Sequence, residues 1–272
     1  MELIWKAALQ GIVQGIAEFL PVSSTAHLLL FGEVLNIGHE EFVKIFNIVV
    51  QLASILAVVI YFRNTLIPLK MFRDRELRSR TFGLWGKMII GVLPILLIGA
   101  AAAKLGWVDA MYECPLIMAG ALFVGGVLLL RIEGWCKHEH PVEDLSGLSF
   151  RTAFLIGLIQ CLAIVPGTSR SASTIIGALA LGLARPVAAE FSFLLAIPTM
   201  CAASAYSLLK HHSDMSGEEW TALGVGFAVT FLVSLCTVSW LMNFIKRHTF
   251  QFFGWYRMAL AIVVAVCFYL NP

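Results

Sequence analysis

Two short stretches carry the residues that could do chemistry. The first reads QGIVQGIAEFLPVSSTAH from Gln10 and holds Gln14, Glu18, Ser23, Ser24, Thr25 and His27 among apolar neighbours. Gln14 and Glu18 are four apart and share one helical face. A carboxylate in apolar surroundings is costly without a partner, so Glu18 reads as a ligand for a divalent cation or as a proton acceptor. The plainer alternative is a carboxylate hydrogen-bonded to free amides, or a neutral one, with no catalytic duty. Pro21 interrupts the helix, and Ser23 then suits a cap on the helix that restarts. Ser24 has His27 three positions on, and a serine beside an imidazole is the minimal activated nucleophile. Alternatively the imidazole is itself the nucleophile, forming a phosphohistidine, or the histidine is structural.

The second stretch, QCLAIVPGTSRSAST over residues 160–174, repeats the plan: an apolar helix, a break at Pro166 and Gly167, then hydroxyls and an arginine. Gly167 lets the backbone come close, while Thr168, Ser169, Ser171 and the amides of a restarted helix donate hydrogen bonds. Arg170 adds a forked cation, a combination suited to a tetrahedral anion. An unpaired arginine this deep costs roughly 2.5–3.5 kcal/mol on the insertion scale. A structural pair between Arg170 and a carboxylate is the alternative. Thr174 lies four beyond Arg170 and is placed to help orient it. Ile164 stands where Glu18 stands in the first stretch, and no histidine follows. The first stretch therefore offers nucleophile, acid/base and metal ligand, and the second an anion clamp. The two breaks are expected to face each other and form one phosphate site.

The elements that must position these groups are membrane helices. Of the 272 residues, 59% are hydrophobic and only 13% charged, against about 25% charge in ordinary soluble domains. The apolar runs are continuous, which excludes a barrel of alternating strands. Spans are expected at 42–62, 85–103, 116–130, 187–209, 220–244 and 252–270, with kinks at Pro94 and Pro198. The pieces 3–36 and 152–183 are broken too early to span and read as re-entrant helix–break–helix hairpins, tolerated where protein or a water-filled cavity covers them. The basic stretch 63–80 and the turn at Lys246, Arg247 and His248 mark the cytoplasmic side, and 131–151, polar and mixed in charge, falls there by alternation of the spans. The links 104–114 and 211–219 are then external, and metal binding by His211 and His212 in the second is an alternative outside the main site. The six cysteines form no Cys-x-x-Cys pair and read as small buried hydrophobes. The tryptophans read as interface anchors or packing residues, and the N-terminus lacks the features of a signal peptide.

An internal repeat ties the halves together. Gly11 to Gln14 parallels Gly157 to Gln160, each followed by proline and hydroxyls. Each hairpin leads to a Glu-Phe pair, Glu41-Phe42 or Glu190-Phe191. By loop charge, the first hairpin enters from outside and the second from inside. The expected fold is an all-α integral membrane protein: one domain over 1–272, six transmembrane helices and two re-entrant hairpins in an inverted-topology repeat. Its halves are 1–130 and 152–272, joined by 131–151. Such architecture also suits an anion transporter or lipid flippase, and that alternative stands. A structural scaffold leaves Glu18, His27 and Arg170 without a purpose.

These motifs resemble the undecaprenyl-diphosphate phosphatase family, also called the bacitracin-resistance protein family. Its first signature, (Glu/Gln)-x-x-x-Glu leading into Phe-Leu-Pro-Val-Ser-Ser-Thr-x-His, is matched by Gln14, Glu18, Phe19, Leu20, Pro21, Val22, Ser23, Ser24, Thr25 and His27. Its second, Pro-Gly-x-Ser-Arg-Ser-x-x-Thr, is matched by Pro166, Gly167, Ser169, Arg170, Ser171 and Thr174; the run from Glu190 to Pro198 is also similar. The resemblance covers nearly the whole chain. It implies hydrolysis of a C55 polyprenyl diphosphate to the monophosphate and inorganic phosphate with a divalent cation, Mg²⁺ or Ca²⁺. The product would be the lipid carrier of cell-wall precursors, and the functional positions would be Gln14, Glu18, Ser24, His27, Ser169 and Arg170. Many family members have Glu where Gln14 stands, so Glu18 is the one acidic metal ligand of this motif, with diphosphate oxygens and water completing the shell. The implied setting is the bacterial plasma membrane with the site opening outward. The expected partners are the lipid substrate and membrane lipids, with a homodimer left open and no nucleic acid.

Overall fold

The computed structural model describes the chain apart from residues 36, 113, 137, 211–214 and 271–272. Glu113, His211 and His212, expected in external links, lie outside the described residues. Helices α1 (Glu2–Ala17) and α2 (Ser24–Leu35) flank the first break. They lead to α3 (Glu40–Tyr61), the short α4 (Arg63–Leu66), a 3₁₀ turn (Leu69–Phe72), α5 (Arg75–Lys104), α6 (Trp107–Tyr112) and α7 (Pro115–Trp135). After a connection come α8 (Phe150–Gln160), a 3₁₀ turn (Cys161–Ile164), α9 (Arg170–Ala180), α10 (Arg185–Lys210), α11 (Gly217–Phe244) and α12 (Gln251–Leu270).

Among the described residues, six helices are long and apolar enough to cross a membrane: Glu40–Tyr61, Arg75–Lys104, Pro115–Trp135, Arg185–Leu208, Gly217–Phe244 and Gln251–Phe268. They overlap the six expected spans. The arms around the breaks are shorter. At 1.5 Å per residue, the 16 residues of α1 reach about 24 Å and the 11 of α9 about 17 Å, against a hydrocarbon core of about 30 Å.

Two expectations need correction. The basic stretch 63–80 is not all loop. The Asp74 side chain accepts from the amides of Glu76 and Leu77 and starts α5 at Arg75, so Arg75, Arg78 and Arg80 ride on its first turns. None of the cysteines is buried: Cys114, Cys136 and Cys161 are intermediate, and Cys201, Cys236 and Cys267 exposed. In a bilayer the outer face is as apolar as the interior, so a small hydrophobe gains little by turning inward. The expected kink prolines, Pro94 and Pro198, sit inside unbroken α5 and α10.

Helices associating in lipid rely on close packing and interhelical hydrogen bonds rather than on hydrophobic burial. The short arms show this. A Cβ on Gly11 would stand 2.9 Å from the Gly226 carbonyl oxygen, and one on Gly157 would stand 1.9 Å from that of Gly91. Thus α1 lies against α11, and α8 against α5. The Thr230 hydroxyl adds a 3.1 Å bond to the Gly11 carbonyl. The pairs α3–α10 and α7–α12 cross between the first and second halves of the chain. The main core gathers Phe19, Val22, Phe62, Ile156, Ile175, Phe191, Phe193 and Leu241 around the two breaks. Phe19 meets Phe193 edge-on, with centroids 5.3 Å apart, which fixes the chain immediately after Glu18.

Candidate active site

The first break begins where Pro21 removes an amide donor. The Glu18 amide still reaches the Gln14 carbonyl at 3.0 Å, so Glu18 ends α1. Ser23 then takes a φ of +72°, and α2 starts at Ser24. In the second break, Gly167 has φ +88° and Ser169 φ +69°; the Ser169 side chain caps α9 by accepting from the Ala172 amide at 3.3 Å. Left-handed backbone is uncommon for serine. Ser23 follows Gln14, and Ser169 follows Gln160, by the same interval along the chain. Ser24 and Arg170 therefore occupy equivalent positions, each the first residue of the restarted helix.

The breaks meet. An Arg170 Nη2 lies 3.2 Å from Glu18 Oε1, and the Ser171 hydroxyl donates to the Leu20 carbonyl at 2.9 Å. Glu18 Oε2 accepts from Ser24 Oγ at 2.8 Å and from Gln14 Nε2 at 3.0 Å. Arg170 Nη1 donates to the Ser192 carbonyl at 3.0 Å, while its buried Nε has no hydrogen-bond partner. The carboxylate pair weighed as a structural alternative for Arg170 is thus present, and its carboxylate is the one that also holds the candidate nucleophile.

A cavity of about 250 Å³ opens over this cluster, lined by Glu18, Ser23, Ser24, Gly167, Ser169 and Arg170. Thr168, Ser171 and Thr174 stand behind it. Thr174 is fully buried and shares a 2.5 Å hydrogen bond with Ser192 Oγ. It also donates to the Arg170 carbonyl at 2.9 Å, so it supports the backbone of Arg170 without touching the guanidinium. Gln14 is also fully buried, and its Oε1 has no partner.

His27 departs from the expected pairing with Ser24. Its Nδ1 is 2.7 Å from the Ser23 carbonyl oxygen, and its Nε2 is 2.6 Å from the Tyr256 hydroxyl. With Nδ1–H donating to the carbonyl, Nε2 accepts from tyrosine. The ring faces a separate apolar cavity of about 300 Å³, with Phe31, Phe252 and Tyr256. The base facing Ser24 is Glu18. The Ser23 carbonyl also accepts from the His27 amide at 3.4 Å, so the imidazole folds back along its own helix while the Ser24 hydroxyl reaches Glu18.

Sequence reasoning missed Gln51, Tyr112 and Thr199, which also line the cavity. Gln51 and Thr199 are single polar residues in apolar stretches, and Tyr112 lies in a link between spans, none with a motif around it. It also missed Arg257, a buried cation in the last span. That residue had a signal, because a lone arginine among apolar residues at membrane depth marks a site by default.

A hard divalent cation prefers oxygen ligands. Glu18 and the orphaned Gln14 Oε1 fit it in kind and supply two side chains; among the described residues no cluster of three or more His, Cys, Asp or Glu adds to them. In this arrangement Arg170 already occupies one Glu18 oxygen.

The sequence model of the family described as bacitracin resistance protein BacA matches residues 7–263. An undecaprenyl-diphosphatase of Aquifex aeolicus is 43% identical over 266 residues, covering 97% of this chain and 98% of the relative. Undecaprenyl-diphosphatase 1 of Clostridioides difficile is 44% identical over 269 residues, covering 98% and 97%. An undecaprenyl-diphosphatase of Fusobacterium nucleatum is 45% identical over 268 residues, covering 95% and 98%. With two helix breaks joined through Glu18, Ser24 and Arg170 and a match along nearly its whole length, the chain belongs to the bacitracin resistance protein BacA family.

Proposed function

We propose that this protein hydrolyses undecaprenyl diphosphate to undecaprenyl phosphate and inorganic phosphate, returning the lipid carrier to cell-wall synthesis and so conferring bacitracin resistance. The relatives' names support the substrate. The observation that carries the chemistry is a serine hydroxyl and an arginine held on one carboxylate at 2.8 and 3.2 Å, inside a cavity that lies among apolar helices.

The terminal phosphate enters between the restarted helices, where Ser169, Arg170 and the amides opening α9 hold its oxygens. Arg170 then shifts from Glu18 to the phosphate. That exchange frees Glu18 Oε1, while Oε2 keeps its hydrogen bond to Ser24 and serves as the base. Ser24 Oγ forms a bond to the terminal phosphorus as its proton passes to Glu18, and the bond to the bridging oxygen breaks. Undecaprenyl phosphate departs carrying that oxygen and the electron pair. Water then attacks the phosphorus of the phosphoserine, the bond to Ser24 Oγ breaks, Glu18 returns its proton to that oxygen, and inorganic phosphate leaves carrying the hydrogens of the water. His27 serves as a positioning residue, since it fixes the left-handed Ser23 from which Ser24 projects. A Mg²⁺ or Ca²⁺ held by Glu18 and Gln14 with diphosphate oxygens would supply positive charge against the leaving group.

The architecture that fits this reading is two re-entrant hairpins in an inverted repeat. Its support is the reciprocal pairing of the arms, α1 on α11 and α8 on α5, with α3–α10 and α7–α12 crossing between the halves. With basic segments inside, the protein sits in the plasma membrane and the site opens to the external side.

Purified protein in detergent separates an enzyme from a transporter, because detergent leaves no second compartment. Steady release of phosphate from a polyprenyl diphosphate is the expected result. Binding of the substrate without turnover would favour the flippase.

A further inference from the structure

One cation takes no part in the mechanism above. Arg257 lies in α12 and is fully buried. Its guanidinium donates to five backbone carbonyls. Nε reaches Leu122 at 3.3 Å, Nη1 reaches Pro21 at 3.2 Å, and Nη2 reaches Ala121 at 3.2 Å and Gly167 and Thr168 at 3.0 Å. Pro21 belongs to the first break, Gly167 and Thr168 to the second, and the other two to α7. Among the described residues it has no carboxylate partner. Its socket is shaped for it: a Cβ on Gly125 would stand 2.3 Å from Nη2.

We infer that Arg257 is the positioning residue of the phosphate site, gathering both breaks onto one buried cation and setting the direction of their peptides. The inference rests on the phosphatase reading of the cavity. In a trans peptide the carbonyl and the next amide point in opposite directions, and among the described residues there are no cis peptides. Holding the Thr168 carbonyl therefore turns the Ser169 amide away from Arg257. Ser169 lines the cavity, so its amide is placed to donate to a phosphate oxygen. Strained backbone persists only where its surroundings over-determine it. Arg257 pins both peptides that precede left-handed Ser169, and the Pro21 carbonyl just ahead of left-handed Ser23. Ser24 and Arg170 project from those two turns. The cation also lies behind an anion site with only carbonyl dipoles to compensate it, and in a medium of low dielectric its field carries.

The test pairs Arg257→Lys, which keeps a charge but loses the fork, with Gly125→Ala, which keeps the arginine but pushes it from its socket. Both are assayed for phosphate release from a polyprenyl diphosphate, together with thermal melting and inhibition by inorganic phosphate. Each variant is expected to lose at least about 30-fold in kcat, with KM within about threefold, because the prenyl tail dominates ground-state binding. Inhibition by inorganic phosphate should weaken by about tenfold. Wild-type kcat in both folded variants overturns the proposal, as does a loss that recovers when the assay is run further below the melting temperature. If one variant does not fold, the other decides. If neither folds, the role is structural and the proposal falls. A wild-type protein that releases no phosphate counts against the phosphatase reading instead.

Discussion

Glu18 is the residue on which the site turns, because one carboxylate faces a serine, an arginine and a glutamine. Glu18→Gln keeps the size and loses the base. Removing a general base costs typically 10²–10⁴-fold, so a fall in kcat of at least about 100-fold is expected in the phosphate-release assay. Ser24→Ala should fall comparably, and unchanged turnover would leave water, activated by Glu18, as the attacking group. The nucleophile can be trapped directly. Acid quench during turnover of a substrate labelled in its terminal phosphate is expected to leave an acid-stable adduct on Ser24. An adduct on His27 that survives an alkaline quench but not the acid one would reverse that assignment. Arg170→Lys should also cost activity, since a point charge cannot reach Glu18 and the Ser192 carbonyl with the same fork.

At the scale of elements, the site depends on short helices held by close backbone contact. The Gly157 crossing meets backbone, with a Cβ only 1.9 Å from the Gly91 carbonyl oxygen, whereas the contact at Gly15 is mainly with the Val233 side chain, at 2.8 Å. Backbone cannot step aside as a side chain can. Gly157→Ala is therefore expected to destabilise by at least the 1–3 kcal/mol typical of overpacking, and more than Gly15→Ala. Thermal melting in detergent measures the order, and equal effects would show that α8 can slide along α5. Much of this scale was legible in sequence. Pro21, Pro166 and Gly167 announced the breaks, because proline lacks a donor and glycine accepts positive φ. The left-handed serines were not legible, since serine is an ordinary cap and the strain at Ser23 and Ser169 comes from what packs behind them.

For the molecule as a whole, the proposed orientation and metal each have a direct measurement. In a cysteine-free background, Ser216→Cys should react with an impermeant thiol reagent on intact cells, while Asp144→Cys should react only after permeabilisation. The opposite pattern would invert the proposed topology. Chelation is expected to lower phosphate release by at least about tenfold, restored by Mg²⁺ or Ca²⁺; full activity in chelator would remove the metal from Glu18 and Gln14. Sequence by itself determined the membrane class, the six spans, both breaks and the family, because hydropathy, proline and a long motif are local properties written in order along the chain. It also brought forward Glu18, Ser24 and Arg170. Only the tertiary structure decided which groups meet. Glu18, rather than His27, faces Ser24; His27 turns to Tyr256 instead; and Arg257 reaches both breaks from the last helix. Those contacts join residues from distant parts of the chain, and their geometry is set by how helices pack, which no spacing within one segment encodes.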